Sequence, residues 1–486
     1  MLLDERLWTG NIFIGGEWRP GRGGGYDVTE PATGAVLGRI GRATGEDVTE
    51  AARHAAAAQR DWAATPHPRR AAILRRAAQL WAEHAEEISG WNVREVGAIP
   101  PMAGFALHVA QEECYEAAAL PSRPYGELLP SEDPRLSMAR RVPAGVVAVI
   151  APFNVPIILA IRSVAPALAL GNAVLLKPDP RTAVTGGVTL ARIFEEAGLP
   201  PGVLQVLPGA ADVGEALVTD PLVRVISFTG STAAGRRVGA LAGEHLKRAH
   251  LELGGNSALV VLADADVEGA VAAASFGSWF HQGQICMTTG RHLVHTSLYD
   301  EFVERLAAKA ARLPVGDPAR EQVALGPVID AGQRDKIHSV VTRSADAGAR
   351  VAAGGTFRDL FYSPTVLAGV DGDTPAFREE IFGPVAPVGR FSDPDEAVRL
   401  ATASEYGLSL GIITRDVMRG LDLADRIPTG IVHINDQTVS DEANSPFGGV
   451  GASGTGSRFG GAAANVEAFT ETRWVTVRDK PPVYPF

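Results

Sequence analysis

From about residue 144 onward the chain alternates short β-rich runs with helical ones, and this alternation restricts the fold more than any other feature. GVVAVIAPF precedes VPIILAIRSVAPALAL, AVLLKP precedes AVTGGVTLARIFEEAG, VLQVLPG precedes ADVGEALV, and VRVISFTG precedes STAAGRRVGALAG. Such units close as right-handed βαβ crossovers on a parallel sheet, a nucleotide-binding architecture in outline. A second α/β set begins at ALVVL (258–262), continues through a helix at 266–281 and runs to GIVHIN (430–435). At 486 residues the chain exceeds what one hydrophobic core serves, so two large α/β domains and a smaller element are expected.

Ahead of this region, residues 12–40 read as short strands with turns, and Val48, Ala52, Ala55 and Trp62 recur at helical spacing. Ile73, Ala77, Trp81, Ile88 and Trp91 then mark one face of a longer amphipathic helix. Val142–Ile161 carries no charge and has the length of a membrane span, but it contains Pro143, Gly145, Pro152, Asn154 and Pro156. A buried strand leading into a buried helix is expected there. The tail ETRWVTVR (471–478) reads as a strand detached from both sheets, suited to pairing with a partner subunit.

The net charge of −11, with no Lys/Arg cluster able to track a phosphate backbone, argues against nucleic acid. Cys114 and Cys286 are the only cysteines, too few for a disulfide framework and without metal-ligand spacing, so no metal is expected. Asp4, Glu5 and Arg6 stand where a secretory signal needs an apolar run. A reducing, cytoplasmic setting without membrane attachment is the expectation.

Five segments hold residue types suited to chemistry. In FTGSTAAG (228–235) a strand ends at Phe228 and a helix opens at Ser231, with Thr229 and Gly230 in the turn. Free N–H groups at that helix start favour a pyrophosphate, although the spacing is not GxGxxG and glycine-serine turns are common. Lys177 closes AVLLK, where its ammonium reaches a ribose or phosphate or is simply solvated. Asn154 precedes VPIILAI and reads as an N-cap whose oxygen accepts from the first helical turn, leaving its NH₂ free to donate to an oxyanion. Glu252 in LELGG is either a salt-bridged structural carboxylate or, if buried without a partner, a base raised towards neutrality. Cys286 lies in HQGQICMTTGR, a polar loop that suits a thiolate better than the helical surroundings of Cys114, although most single cysteines are inert.

PFN with Asn154, LLKP with Lys177, FTGSTAAG, ELGGN with Glu252, QIC with Cys286, EEIFGPV (379–385) and SPFGG (445–449) occur in the order found in aldehyde dehydrogenases. Over nearly its whole length the chain resembles that superfamily. The resemblance implies a modified Rossmann cofactor domain (1–121 and 144–254), a catalytic α/β domain (255–456), and a bridging β element (122–143 and 457–486) that makes homodimers or homotetramers. It implies Cys286 as nucleophile, Asn154 as oxyanion donor and Glu252 as the base that activates water on a thioester. Pro152, Phe153, Lys177, Gly209, Phe228, Thr229, Gly230, Ser231, Gly235, Leu253, Gly254, Glu380 and Phe382 would contact NAD or NADP.

Relatives that transfer the acyl group to coenzyme A usually lack this glutamate, so Glu252 favours hydrolysis over that alternative. Its retention with Cys286 and Asn154 also argues against a catalytically silent binding protein. The family's frequent acid three residues after the lysine is Pro180 here, which leaves NADP open beside the slightly favoured NAD. A glutamate that assists proton relay in some relatives is absent, with Gly460 near its place. KPDPRTAVTGG and HINDQTVSDEANSPFGGVGASGTGSRFGG resemble benzaldehyde and vanillin dehydrogenases. An aromatic aldehyde is therefore the expected substrate, walled by Phe153, Val155, Ile158 and Phe447.

Overall fold

A computed structural model describes residues 1–486 and resolves the alternating region into two seven-stranded sheets. Val146–Ile150 and Ala173–Lys177 are buried at every position, as strands covered by helices on both faces must be. They belong to a sheet ordered Arg248–Glu252, Val223–Thr229, Val146–Ile150, Ala173–Lys177, Leu204–Val206, Asn11–Ile14, Glu17–Pro20. The first five run parallel, and Asn11–Ile14 adds antiparallel at Leu204–Val206.

Following the chain, strands step outward from Val146–Ile150 on one side, then return to its other side with Val223–Thr229. The order therefore reverses between those two strands, and ligands of open α/β sheets bind at the carboxyl ends beside such a reversal. The register pairs Ile150 with both Lys177 and Phe228, and Thr229 with Glu252. The segments carrying Asn154, Lys177, Ser231 and Glu252 consequently leave the sheet along one edge.

The second sheet is ordered Arg350–Ala353, Thr365–Ala368, Val385–Phe391, Thr289–His295, Ser257–Val261, Ser409–Ile413, Ile431–Ile434. All its pairings are parallel except that of Arg350–Ala353. A third sheet joins Thr470–Val477 to Leu136–Pro143 and Gly126–Leu128, all antiparallel. Thr470–Val477 forms one edge of it and exposes Trp474 and Val477.

The uncharged run becomes the strand Val146–Ile150 and the helix Pro156–Ala169, every residue of which is buried. No helix of the protein is long and apolar enough to cross a membrane. One expectation fails: the helical face from Ile73 to Trp91 is divided into His67–Glu83 and Ala85–Trp91. The division falls at His84, whose φ of −110° and ψ of 20° leave the helical region.

Candidate active site

Cys286 follows the helix Val267–Trp279 through a turn in which His281 and Gln282 adopt left-handed backbone angles, with φ of 52° and 57°. That conformation costs a non-glycine residue about 1–3 kcal/mol and persists only where neighbours over-determine it. Here they do. Gln282 Nε2 donates to the carbonyls of Gly97 and Pro327 at 2.9 and 2.8 Å, and His281 Nε2 donates to the Asn154 carbonyl at 2.6 Å. Gln284 Oε1 accepts from Ile329 N at 3.1 Å, and Thr288 Oγ1 donates to the Gly283 carbonyl at 3.1 Å. The loop holding the sulfur is thus tied on three sides before any ligand arrives.

Asn154 is not the N-cap that its position promised. Val155 occupies that place, Pro156 opens the helix, and no side chain caps it. The first-turn proline removes one N–H that a cap would serve. Asn154 Nδ2 instead donates to the Gln284 carbonyl at 2.8 Å, which leaves its second amide hydrogen unassigned. Together with the His281 contact, this joins the segment after Val146–Ile150 to the cysteine loop.

Two cavities meet at this junction. One, of about 390 Å³, is mostly apolar and walled in part by Val155, Ile158, Phe276, Phe280 and Phe447. The other, of about 130 Å³, is lined by Pro152, Phe153, Thr229, Gly230, Ser231, Leu253, Gly254, Glu380 and Phe382. Asn154, Leu159 and Cys286 line both. Phe153, expected in the substrate wall, faces the smaller cleft, where its ring meets Phe382 edge-on at 5.9 Å under the Arg181 guanidinium.

Glu252 is buried, lines neither cavity, and has both carboxylate oxygens without a hydrogen-bond partner. Burial raises it well above the ordinary carboxylate range, opposed by the charges of Arg162 and Arg458. The backbone after it lies against that of Cys286, since a Cβ on Gly255 would stand 2.3 Å from the Cys286 carbonyl oxygen. Gly255 N also donates to Glu380 Oε1 at 2.9 Å, fixing that carboxylate at the cleft wall.

The surroundings of Cys286 are polar but not electropositive. Burial, then the charges of Glu380 and Glu252, push its thiol up to about 12. Against the expectation of a thiolate-favouring loop, the charges nearest the sulfur are carboxylates, which disfavour its anion in the free protein. Cys114 is fully buried and burial pushes its thiol up as well.

Of the other expected cofactor contacts, Lys177, Gly209, Phe228 and Gly235 lie outside the small cleft. Lys177 is buried at its strand end with its stem near Gly214, and its ammonium donates to the Pro178 carbonyl at 3.3 Å. Phe228 packs on Gly230, and Gly209 precedes the helix Ala211–Thr219. Ser231 caps the helix Thr232–Glu244, its Oγ accepting from Ala234 N at 3.3 Å. On that helix, a Cβ at Gly235 would stand 2.2 Å from a Leu253 methyl, so a side chain there would force Leu253 to shift. The resulting groove offers helix N–H groups at one end and the Glu380 carboxylate at the other, a donor set that fits a dinucleotide.

Sequence reasoning missed several participants. Lys336 and Gln333 line the cleft, and His281 and Gln284 orient Asn154. In the larger cavity it missed Arg162 and Asp441, which meet in an ion pair across the wall. An arginine inside an apolar helical run signals a paired buried charge, but its partners are not readable from spacing.

These features are those of an NAD(P)-linked dehydrogenase with a cysteine between substrate and cofactor cavities, and the chain belongs to the aldehyde dehydrogenase family, whose profile matches residues 18–475. It is 70% identical to a vanillin dehydrogenase of Amycolatopsis sp. over 100% of this chain and 99% of that protein. It is 51% identical to a benzaldehyde dehydrogenase [NAD(+)] of Pseudomonas putida, covering 99% of each chain. The crystal structure of a salicylaldehyde dehydrogenase from Pseudomonas putida G7 superimposes with a TM-score of 0.94 at 36% identity, covering 98% of this chain and 99% of that one.

Proposed function

We propose that the protein oxidises an aromatic aldehyde to its carboxylic acid with NAD⁺ or NADP⁺, through a thioester on Cys286. The observation that carries this reading is the position of Cys286 and Asn154 on the shared wall of an aromatic-lined cavity and the smaller cleft that reaches the Ser231 helix start. An aldehyde ring in the larger cavity presents its carbonyl at that wall. Sγ loses its proton to solvent and bonds to the carbonyl carbon, while the free Nδ2 hydrogen of Asn154 donates to the oxygen that gains negative charge. The nicotinamide, when bound, supplies the two-electron acceptor that takes the aldehyde hydrogen as hydride.

Glu252 then removes a proton from the water that attacks the thioester, releasing the acid and restoring the thiol. A buried carboxylate with no partner and a raised pKa has the proton affinity for this task. Lys177 and the Ser231 helix start would hold the adenosine and pyrophosphate portions, and Glu380 and Phe382 the nicotinamide ribose and ring. The cofactor domain would comprise 1–121 and 144–254, the catalytic domain 255–456, and the bridging element 122–143 and 457–486. The free edge of Thr470–Val477, with Trp474 exposed, supports assembly into a homodimer or homotetramer.

The test is NAD(P)H formation from benzaldehyde without coenzyme A, compared between the native protein and Cys286→Ala. The native protein should turn over, and the variant should bind cofactor yet form none. Turnover that requires coenzyme A would replace hydrolysis by acyl transfer.

A further inference from the structure

Two aromatic rings that line the small cleft come from segments beside different sheets. Phe153 follows the strand Val146–Ile150 of the first sheet, and Phe382 precedes Val385–Phe391 of the second. Phe382 adopts a left-handed φ of 56°, which a bulky residue keeps only where neighbours impose it. Arg181, in the turn Pro180–Thr182, reaches both walls from behind without lining the cleft itself. Its guanidinium lies 4.0 Å from the centre of the Phe153 ring, and Nη1 donates to Asp330 Oδ2 at 2.7 Å. The other oxygen of Asp330 caps the helix Ala331–Asp346, accepting from Gln333 N at 2.8 Å. From that helix Gln333 Nε2 donates to the carbonyls of Phe382 and Ile381 at 2.8 and 3.3 Å. One side chain therefore touches the first ring and, through a single helix cap, holds the backbone of the second.

We infer that Arg181 is a positioning residue for the nicotinamide end of the cofactor: clasped to Asp330, it sets the spacing between Phe153 and Phe382. The inference rests on the dinucleotide reading of the cleft. Arg181 is not suited to holding a phosphate itself. Asp179 accepts from its Nε and Nη2 at 2.8 and 2.9 Å, so one cation stands between two carboxylates and the cluster is net negative. Nor is the clasp mainly a device for stability, since the two side chains are 38% and 39% exposed and such pairs add little. What it supplies is direction. The bidentate grip of Asp179 fixes the guanidinium plane, that plane supports one face of Phe153, and Phe153 meets Phe382 edge-on at 5.9 Å. Without the clasp each wall is held only by its own sheet, and a binding site loosened by about 1 Å loses its preorganisation.

Equilibrium binding of NADH and of ADP-ribose, which lacks only the nicotinamide ring, tests this role without turnover. Arg181→Met and Asp330→Asn should each weaken NADH by about tenfold and leave ADP-ribose within about twofold, because the two walls serve the ring alone. Asparagine at 330 can still cap the helix, so its effect reports the lost ion pair. The double variant should bind NADH no more weakly than either single one, as expected where both remove one shared contact. Arg181→Lys keeps a charge for Asp330 but not the planar grip, and should fall between the native protein and Arg181→Met. In steady state the KM for cofactor should rise while the KM for benzaldehyde changes little. If Arg181→Met fails to fold, Asp330→Asn decides the matter. Equal losses for NADH and ADP-ribose, or unchanged NADH affinity in the variants, would overturn the positioning role and leave the dinucleotide reading standing. Native protein that binds neither compound would sink that reading and this inference together.

Discussion

Asn154 donates its side-chain amide to the carbonyl of Gln284, two residues before the nucleophilic position, at 2.8 Å. One amide hydrogen is spent on holding the cysteine loop, and the other is proposed to hold the oxyanion. Asn154→Ala should therefore lower kcat by about 10²- to 10³-fold, the usual loss for one oxyanion donor. Cofactor affinity should change little, because the cleft is lined mainly by other residues. A kcat within a few-fold of the native value would remove Asn154 from the mechanism.

Glu252 supports a prediction in two parts, kinetic and thermodynamic. Glu252→Gln should slow steady-state turnover by about 10²- to 10⁴-fold while the first turnover still releases a burst of NAD(P)H, since the base is needed only for hydrolysis. Loss of the burst together with turnover would place Glu252 before thioester formation. In the native protein, kcat limited by hydrolysis should fall as pH drops through the raised pKa, where the carboxylate takes up its proton. Between the ordinary carboxyl pKa and that raised value, the folded chain holds a proton that the unfolded chain has lost. Folding stability therefore falls with rising pH across that window, by about 1.4 kcal/mol per pH unit at most. Thermal unfolding should show Glu252→Gln gaining stability on the native protein as pH rises from the ordinary carboxyl pKa towards that raised value.

The thiol of Cys286 stands at about 12 because burial and the carboxylates of Glu380 and Glu252 disfavour its anion. Without ligands, alkylation by iodoacetamide near pH 8 should be much slower than for a free thiol, since the thiolate is the reactive form. Glu380→Gln removes the carboxylate with the larger effect and should shift the alkylation profile to lower pH. Mass spectrometry assigns the adduct, because buried Cys114 should stay unmodified until unfolding. Rapid alkylation of the native enzyme at neutral pH would mean that these carboxylates do not govern the thiol.

What was legible in the chain was chiefly local. The Val146–Ile150 and Ala173–Lys177 strands, the buried helix after them, and the Ser231 cap all follow from short-range pattern, where apolar runs and turn chemistry agree. The Asn154 cap failed because Pro156 changes what the first turn requires, and a carbonyl far along the chain claims the amide. The helix break at His84 lies inside a continuous apolar face, which periodicity cannot divide. The ring of Glu113, Arg162 and Asp441 joins three distant stretches, so its existence depends on the packed fold rather than on any window of sequence. The same holds for the sulfur, whose loop looked suited to an anion until the fold brought two carboxylates near it.

Cofactor choice turns on what stands beyond Lys177. Three residues on, where many relatives place an acid, this chain has Pro180, at the first position of the short turn Pro180–Thr182. The nearest carboxylate in sequence, Asp179, is already engaged: it pairs with the Arg181 guanidinium at 2.8 Å and accepts from Arg181 N at 3.0 Å. Arg181 in turn reaches Asp330 at 2.7 Å, so Asp179 is held within a charge network rather than free to accept from a ribose hydroxyl. No carboxylate from this turn is available to repel a 2′-phosphate, and the native enzyme should turn over with both NAD⁺ and NADP⁺. Pro180→Glu places an acid there, and like-charge repulsion should lower kcat/KM for NADP⁺ by about tenfold or more relative to NAD⁺. Initial rates with each cofactor at saturating aldehyde measure the ratio directly. An unchanged ratio in Pro180→Glu would mean that the adenosine ribose is held elsewhere in the groove.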